Sequence, residues 1–184
     1  MTQSLSLADA RTRRARNGAL LVFGINGLIF ASWASRLPDI KQFLELTPGQ
    51  VSLMLLSMSL GAVIGLPLAG RIAHRFGATA TVRSGLVLVV PGILLAALAV
   101  EAGGPVTWVI PGLFLMGLGT GIWDVAQNLE GTIIEQALGR AIMPWFHAAF
   151  SFGTVGGALA GAAMTALRVP ILWHIGVVIV LGAI

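Results

Sequence analysis

One aspartate is better placed than any other residue of this chain to carry chemistry. Asp124 follows a long apolar stretch in which no residue after Glu101 is charged, and Asn128 comes four residues later, on the same face of a helix. A carboxylate at bilayer depth costs about 2.5–3.5 kcal/mol on insertion scales, which makes such a residue a functional candidate by default. Asp124 is therefore our candidate for proton coupling. The structural alternative is a carboxylate at a helix end, bonded to Asn128 or to an arginine.

A few other polar and aromatic side chains are candidates for lining a solute cavity. His147 and Ser151 are one helical turn apart, and a histidine can change its charge near neutral pH. Asn26 and Trp33 share an earlier apolar segment, and Asn128 accompanies Asp124. Each has a structural alternative, since serines in membrane helices often bond their own backbone and tryptophans often anchor a helix at the interface.

The composition requires that these residues be positioned by helices in a membrane. The chain is 57% hydrophobic and only 10% charged, whereas soluble domains have about 25% charged residues. A spanning helix needs about 20 predominantly apolar residues. After a basic, cytoplasmic N-terminal arm at residues 1–17, the sequence predicts an all-α membrane protein with a half-domain at 18–184. Its six predicted helices are 18–36, 50–69, 84–101, 107–128, 142–166 and 170–184.

Several other functions find no support in the sequence. The chain has no cysteine, so disulfides and thiolate metal sites are impossible, and its histidines are scattered without metal-ligand spacing. No dinucleotide loop or hydrolase nucleophile motif is present. The arginines stand at the ends of apolar runs, not on one continuous face, which argues against nucleic-acid binding. We therefore expect no enzyme activity, no metal and no cofactor.

The placement of lysine and arginine predicts the orientation in the membrane. With the N-terminus in the cytoplasm, the inner segments hold eight of these residues and the outer segments hold three, which satisfies the positive-inside rule. The sequence therefore predicts a multi-pass protein of a bacterial cytoplasmic membrane with a cytoplasmic N-terminus. At the outer end, Arg36, Asp39 and Lys41 are expected to be solvated or paired.

Glycines recur at four-residue steps in two of the predicted helices. Such steps place small residues along one face and allow two helix backbones to approach closely. We expect these glycines to serve helix packing: Gly61, Gly65, Gly153, Gly157 and Gly161.

A short basic segment joins the second and third predicted helices. It resembles the signature loop between helices 2 and 3 of major facilitator transporters, in which an Asp-Arg pair stands between glycines. Some residues of the segment carry the resemblance, and the others belong to the gating loop that it implies. Together they are Gly70, Arg71, His74, Arg75, Gly77 and Arg83. His74 stands where the family usually has aspartate, and Arg83 stands in for a basic residue that the family has nearer the second glycine. The resemblance implies that this loop locks one state of the transport cycle through Arg75.

A second resemblance covers the segment around the candidate carboxylate. Residues 119–128, Gly-Thr-Gly-Ile-Trp-Asp-Val-Ala-Gln-Asn, are similar to helix 4 of the fucose:proton symporter branch, and residues 31–41 and 140–148 resemble a bacterial subgroup of the same superfamily. The resemblance implies a secondary transporter of a small polar solute, coupled to protons through Asp124. The second carboxylate of that symporter, in helix 1, has no clear counterpart here.

The resemblance also implies an architecture larger than this chain. Members of the superfamily have twelve helices in two halves that rock around a central site, whereas this sequence supplies the first six, the last of them incomplete. We therefore expect a fragment of a transporter, whose partners are the lipid bilayer, the solute, protons and either the missing C-terminal half or a second copy. The alternative is a non-transporting membrane interaction module or an inactive remnant.

Overall fold

The chain folds as a bundle of α-helices. A computed structural model describes the backbone of residues 2–183 and the side chains of residues 10–182. Within that range the helices are α1 (Thr2–Ala34), α2 (Leu37–Phe43), α3 (Pro48–Glu101), α4 (Val106–Leu138), α5 (Met143–Ala166) and α6 (Ile171–Ala183). Thr47 starts α3 with a capping box, in which its hydroxyl accepts from the Gln50 amide and the Gln50 side chain accepts from the Thr47 amide.

The longest helix, α3, consists of two helices joined at a single residue. Gly77 has φ 81° and ψ 168°, which is not helical and which only glycine adopts readily. A first half at residues 48–76 and a second half at 78–101 therefore meet at a kink. The loop predicted at residues 70–77 is wrong, because Gly70 stays within the helix and only Gly77 leaves the helical conformation. Arginine and alanine in this segment are good helix formers, and they let the helix continue.

Within the described part of the chain, four helical segments are long and apolar enough to cross a membrane, judged by length and composition: Ala10–Phe43 (α1 together with α2), Pro48–Glu101, Val106–Leu138 and Met143–Ala166. The kink at Gly77 divides the second into two, which gives five long apolar helices. The prediction of six spanning helices therefore holds only in part. Helix α6 is apolar but has 13 residues in the described part of the chain, about 20 Å of rise against a hydrocarbon core of about 30 Å.

Helix ends differ most from the predicted ones where polar residues continue a helix. Helix α1 starts at Thr2, so the predicted N-terminal arm is helical; it holds no glycine or proline that would interrupt it. Helix α4 continues to Leu138, ten residues beyond its predicted end. The short helix α2 was not predicted at all, although Pro38 in its first turn is a typical helix-start signal.

The helices are joined in two close pairs, α1 with α5 and α3 with α4. Helix α4 lies against both halves of α3, and glycines make the contact on each side. A Cβ atom at Gly65 would lie 2.5 Å from the Leu118 carbonyl oxygen, and one at Gly119 would lie 2.5 Å from the Gly85 carbonyl oxygen. Both separations are shorter than packed atoms allow, so glycine is required where these backbones touch.

The bundle has two ends, which we name after the residues that distinguish them. At the Arg36 end lie α2 and the connections that follow α1, α3 and α5. At the Gly77 end lie the kink in α3, the N-terminal part of α1 and the α4–α5 connection at residues 139–142. Between the ends many large apolar side chains face outward, among them Phe152, which is 78% exposed, and Trp173, which is 72% exposed. This surface suits contact with lipid.

Candidate functional site

Asp124 lies on the exposed side of α4, within a small polar cluster. Its Oδ1 atom accepts a hydrogen bond of 2.9 Å from Gln127 Nε2, and Asn128 Nδ2 lies 3.4 Å from the same oxygen. The Asn128 amide also donates to the Asp124 backbone carbonyl at 2.8 Å. The carboxylate therefore has two amide neighbours on its own helix, and no ion pair joins it to a described arginine. This geometry leaves Asp124 open to a solute, a proton or a further chain.

Gln127 belongs to this cluster, although no sequence signal used above predicts it as a site residue. Its side chain is 97% buried, and its Oε1 atom has no hydrogen-bond partner among the described residues. The i,i+3 spacing from Asp124 was the available signal, since residues three apart on a helix are neighbours. A buried amide held against a carboxylate fixes the orientation of that carboxylate.

His147 and Ser151 lie on exposed positions of α5. The Ser151 hydroxyl donates to the His147 carbonyl at 3.0 Å, so it bonds its own helix backbone. The His147 ring contacts the edge of Phe23 of α1, with centroids 5.7 Å apart, and Phe23 stacks on Phe146 at 5.4 Å. These contacts join α5 to α1 and leave part of the histidine accessible.

Asn26 and Trp33 are buried on α1, unlike the other cavity candidates. Asn26 is 5% exposed and Trp33 is 2% exposed, and the indole Nε1 has no partner among the described residues. Ser32 beside it is fully buried, and its hydroxyl is likewise unpartnered within this part of the chain. In the conformation described, a solute in an open cavity would not reach the Trp33 ring.

The structure therefore does not assemble the predicted cavity residues into one pocket. Asp124 and Asn128 are on the α3–α4 pair, whereas Asn26, His147 and Ser151 are on the α1–α5 pair. No hydrogen bond or ion pair connects the two groups among residues 10–182. The two helix pairs do meet elsewhere, since Glu135 of α4 accepts from the Met143 amide at the start of α5 at 2.8 Å.

The residues of the predicted gating loop surround the kink in α3. Arg71, His74, Arg75 and Arg83 are exposed, and the Arg75 guanidinium lies 5.4 Å from the centroid of the Phe76 ring. Thr81, which the sequence analysis did not select, is fully buried and donates to the Gly77 carbonyl at 2.8 Å. This bond satisfies a carbonyl at the point where the helix is interrupted.

The predicted packing glycines all lie against another helix. Gly61 meets the Phe114 carbonyl and Gly153 meets the Gly24 carbonyl, so close that no Cβ would fit. Added Cβ atoms at Gly65 and Gly157 would lie 2.5 Å from carbonyl oxygens of α4 and α1, respectively. Gly161 contacts the Ser35 hydroxyl. The partners of the first four come from α4 and α1, and that of Gly161 from the α1–α2 turn, which the sequence alone did not indicate.

A polar clasp holds the Arg36 end together. Arg36 is 94% buried, and its Nη2 atom donates to the Val169 carbonyl at 2.8 Å. Its Nε atom lies 3.0 Å from Asp39 Oδ2, an ion pair without good hydrogen-bond geometry. The Thr165 hydroxyl donates to the same Asp39 oxygen at 2.5 Å. The clasp thus joins the α1–α2 turn to the end of α5, and Arg36 is paired and buried, not solvated.

A cavity of about 410 Å³ opens beside the clasp. It is bounded by α2, the end of α3 and the α5–α6 connection, and its polar walls include Gln42, Glu101 and Arg168. No group of three or more metal-ligating side chains was found among the described residues. The cavity lies at the Arg36 end of the bundle, whereas Asp124 lies just past the middle of α4, so the cavity does not unite the predicted site.

The sequence is similar to those of bacterial transporters over most of its length. It is 33% identical over 158 residues to an uncharacterized transporter of Sinorhizobium fredii, y4wD, which covers 85% of this chain and 41% of the relative. It is 37% identical over 139 residues to an uncharacterized MFS-type transporter of Yersinia pestis, covering 75% of this chain and 35% of the relative. This chain is homologous to MFS-type transporters.

A third relative extends the similarity to a protein with a broader description. The membrane protein MosC of Rhizobium meliloti is 30% identical over 136 residues, which cover 73% of this chain and 32% of MosC. None of the three is described as an enzyme. No family model and no solved structure matches the chain. The chain spans about a third to two fifths of the length of the curated relatives it matches. MFS stands for the major facilitator superfamily, the family that residues 70–77 resemble.

Proposed function

We propose that this chain is part of a secondary active transporter of the major facilitator superfamily, which moves a small polar solute across a bacterial cytoplasmic membrane. The observation that carries the proposal is the homology to transporters over 85% of the chain, together with five long apolar helices in one bundle. In this proposal the N-terminus is cytoplasmic, the Gly77 end faces the cytoplasm, and the Arg36 end faces outward.

The proposed transport cycle uses alternating access between two bundles. The helices described here would form one bundle, and a further six-helix half, or a second copy of the chain, would form the other. Solute would bind between them near the middle of the membrane, which is where transporters of this type place their sites. Candidates for contact with the solute are Asn128, His147 and Ser151, whose positions are accessible or partly so, while Asn26 and Trp33 would first have to be uncovered.

We propose Asp124 as the proton-coupling residue of a symporter. Its carboxylate is exposed at the surface of this bundle, where the second bundle would lie, and it accepts from Gln127 and Asn128 without a neutralising arginine among the described residues. Placed between two bundles in a membrane, an ionised carboxylate is costly, so proton uptake or solute binding would relieve that cost. The likeness of residues 119–128 to the fucose:proton symporter branch supports this role.

The test of proton coupling is solute uptake by membrane vesicles that contain the protein expressed from its natural reading frame. Radiolabelled L-fucose and a panel of other neutral monosaccharides serve as probes, with and without an inward proton gradient. We expect gradient-driven accumulation of one probe. Asp124→Asn should abolish accumulation but leave exchange of internal for external solute, because exchange needs no net proton movement.

A matched control strengthens this test. Glu130→Gln removes a carboxylate from the same helix, six residues nearer its C-terminal end, and should leave accumulation within about twofold of the unchanged protein, as for most surface substitutions. Normal accumulation by Asp124→Asn would remove this residue from the mechanism. If no probe is taken up and the chain instead self-associates through α5, the alternative of a membrane interaction module would replace transport.

A further inference from the structure

A second cavity lies at the Gly77 end, and none of its lining residues is proposed to contact the solute or the proton. Its volume is about 280 Å³. It is formed where the N-terminal part of α1 meets the α4–α5 connection and the first turn of α5. The lining residues are Arg16, Leu20, Arg140, Ala141, Ile142 and Trp145.

Two arginines from different parts of the chain give this cavity its charge. Neither Arg16 nor Arg140 forms an ion pair with a carboxylate in the described part of the chain. Arg16 donates from Nε and Nη2 to the neutral Asn17 Oδ1 atom, at 3.1 and 2.9 Å. The nearby carboxylate of Glu135 is already used, because its Oε2 atom accepts from the backbone amides of Ile142 and Met143 at 2.7 and 2.8 Å. These amides are neutral, so Glu135 keeps its negative charge, but it forms an ion pair with neither arginine, and both guanidinium groups keep donors for a further partner.

The remaining walls of the cavity are apolar, and one of them is of a type found at membrane surfaces. Trp145 is 68% exposed, and tryptophan is enriched at the level of the lipid headgroups. Ile142 is buried beneath it, and Leu20 is half-buried on α1. Two guanidinium groups beside an apolar wall match a molecule that joins a phosphate to a hydrocarbon chain.

We propose that this cavity binds the phosphate headgroup of an anionic phospholipid. Arginine holds phosphate through paired, charge-assisted hydrogen bonds, and basic pockets between membrane helices are where such headgroups bind. Free phosphate shares the headgroup chemistry but would gain nothing from Trp145 and Leu20, so the lipid is the favoured ligand. The site would tie α1 to α5 from the membrane surface, at an end of the bundle where no side-chain hydrogen bond joins these two helices among the described residues.

Native mass spectrometry of the purified natural protein in mild detergent tests this proposal. Phosphatidylglycerol is the probe and phosphatidylcholine is the neutral control lipid. We expect Arg16→Gln/Arg140→Gln to weaken phosphatidylglycerol binding at least about tenfold, since a lost charged hydrogen bond changes an equilibrium by about that factor or more. Arg71→Gln/Arg83→Gln removes the same charge from the same end of the bundle but outside the cavity, and should change binding less than about twofold, as expected for exposed charges.

Three outcomes would overturn the proposal. An equal loss of phosphatidylglycerol binding in the two double variants would show attraction to overall charge. Equal binding of phosphatidylcholine would show detergent-like contact. Equally strong binding of inorganic phosphate would show a site for a free anion. Arg16→Lys/Arg140→Lys keeps the charge without the paired hydrogen bonds and should bind with intermediate strength. This lysine variant also guards against misfolding of the glutamine variant.

A second variant tests the apolar wall separately. Trp145→Ala should reduce the preference for phosphatidylglycerol over inorganic phosphate, measured by competition, while leaving the arginines in place. An unchanged preference would contradict the choice of lipid as the ligand. Because binding is measured without uptake of any solute, the result stands whether or not the chain takes part in transport.

Discussion

The two ends of this bundle are held in different ways. At the Arg36 end, side chains bond between segments far apart in the sequence: Arg36 to the Val169 carbonyl, and Thr165 to Asp39. At the Gly77 end, the charged residues around the kink are exposed, and the bond that stabilises the kink, from Thr81 to Gly77, stays within α3. The first end is therefore held by bonds between segments more than a hundred residues apart, whereas the bonds at the second end are local: Glu135 accepts from the Ile142 and Met143 amides, and Thr81 donates to Gly77.

The difference indicates which end is free to change shape. An end held by a partly buried ion pair resists small displacements, because separating the partners leaves the buried Arg36 charge without compensation. A kink at a single glycine can bend further by changing the backbone angles of that glycine, as at the hinges of many proteins. We therefore expect motion of the bundle to occur mainly around Gly77.

The largest effect should come from opening the clasp. Arg36→Gln leaves Asp39 and the Val169 carbonyl without their cation, and should lower the free energy of unfolding by about 3 kcal/mol, because broken buried pairs typically cost 3–5 kcal/mol and Asp39 is partly exposed. Equilibrium unfolding in mixed detergent micelles, followed by circular dichroism, measures this loss. Arg168→Gln is the control, since this arginine lines the same cavity but is exposed; it should cost less than about 0.5 kcal/mol. Equal effects would show that the clasp adds nothing specific.

A smaller effect is expected at the kink. Gly77→Ala introduces a side chain at φ 81°, and should lower the free energy of unfolding by about 1–3 kcal/mol through backbone strain or straightening of α3. Gly70→Ala is a matched control in the same helix, because a Cβ there meets nothing within 4 Å and φ is not positive. We expect it to be neutral or to stabilise by about 0.5–1 kcal/mol. Equal behaviour of the two variants in the same unfolding assay would contradict a fixed kink.

The smallest effect is expected at Arg75. Its side chain is exposed and contacts only the neighbouring Phe76 ring among the contacts described, so Arg75→Gln should change the free energy of unfolding by less than about 0.5 kcal/mol. A loss as large as that of Arg36→Gln would mean that both ends are clasped and would remove the contrast between them. Solute uptake by the same variant sharpens the comparison, since the proposed gating role requires reduced transport from a protein of normal stability.

The sequence was informative about helices because apolar length and helix-breaking residues are local signals. Five of the predicted segments coincide with long apolar helices, yet the exact ends do not, since α1 and α4 continue through polar residues that helices tolerate well. The kink was misread as a loop for a similar reason. A glycine between helix formers signals an interruption, and the sequence does not show whether one residue or eight leave the helical conformation.

The candidate site was harder to predict because its partners are distant in the sequence. The spacing of Asp124 and Asn128 on one helix was visible, and Gln127 could have been added from the same periodicity. By contrast, the bond from Arg36 to Val169 spans 133 residues, and that from Thr165 to Asp39 spans 126. No periodic pattern reports which helices pack together, so the clasp and the separation of the cavity candidates became visible only in the fold.

The two close helix pairs also set an order in which the protein can be made. Helices α3 and α4 are neighbours in the sequence and can pack as soon as both have entered the bilayer. Helix α1 has to wait for α5, because the backbone around Gly24 fits against Gly153, which is synthesised more than a hundred residues later. During that interval α1 lacks its α5 contacts, and we expect the polar Asn26 side chain to be less covered than in the complete bundle. We therefore expect the newly made chain to be most vulnerable to degradation between the insertion of α1 and the arrival of α5.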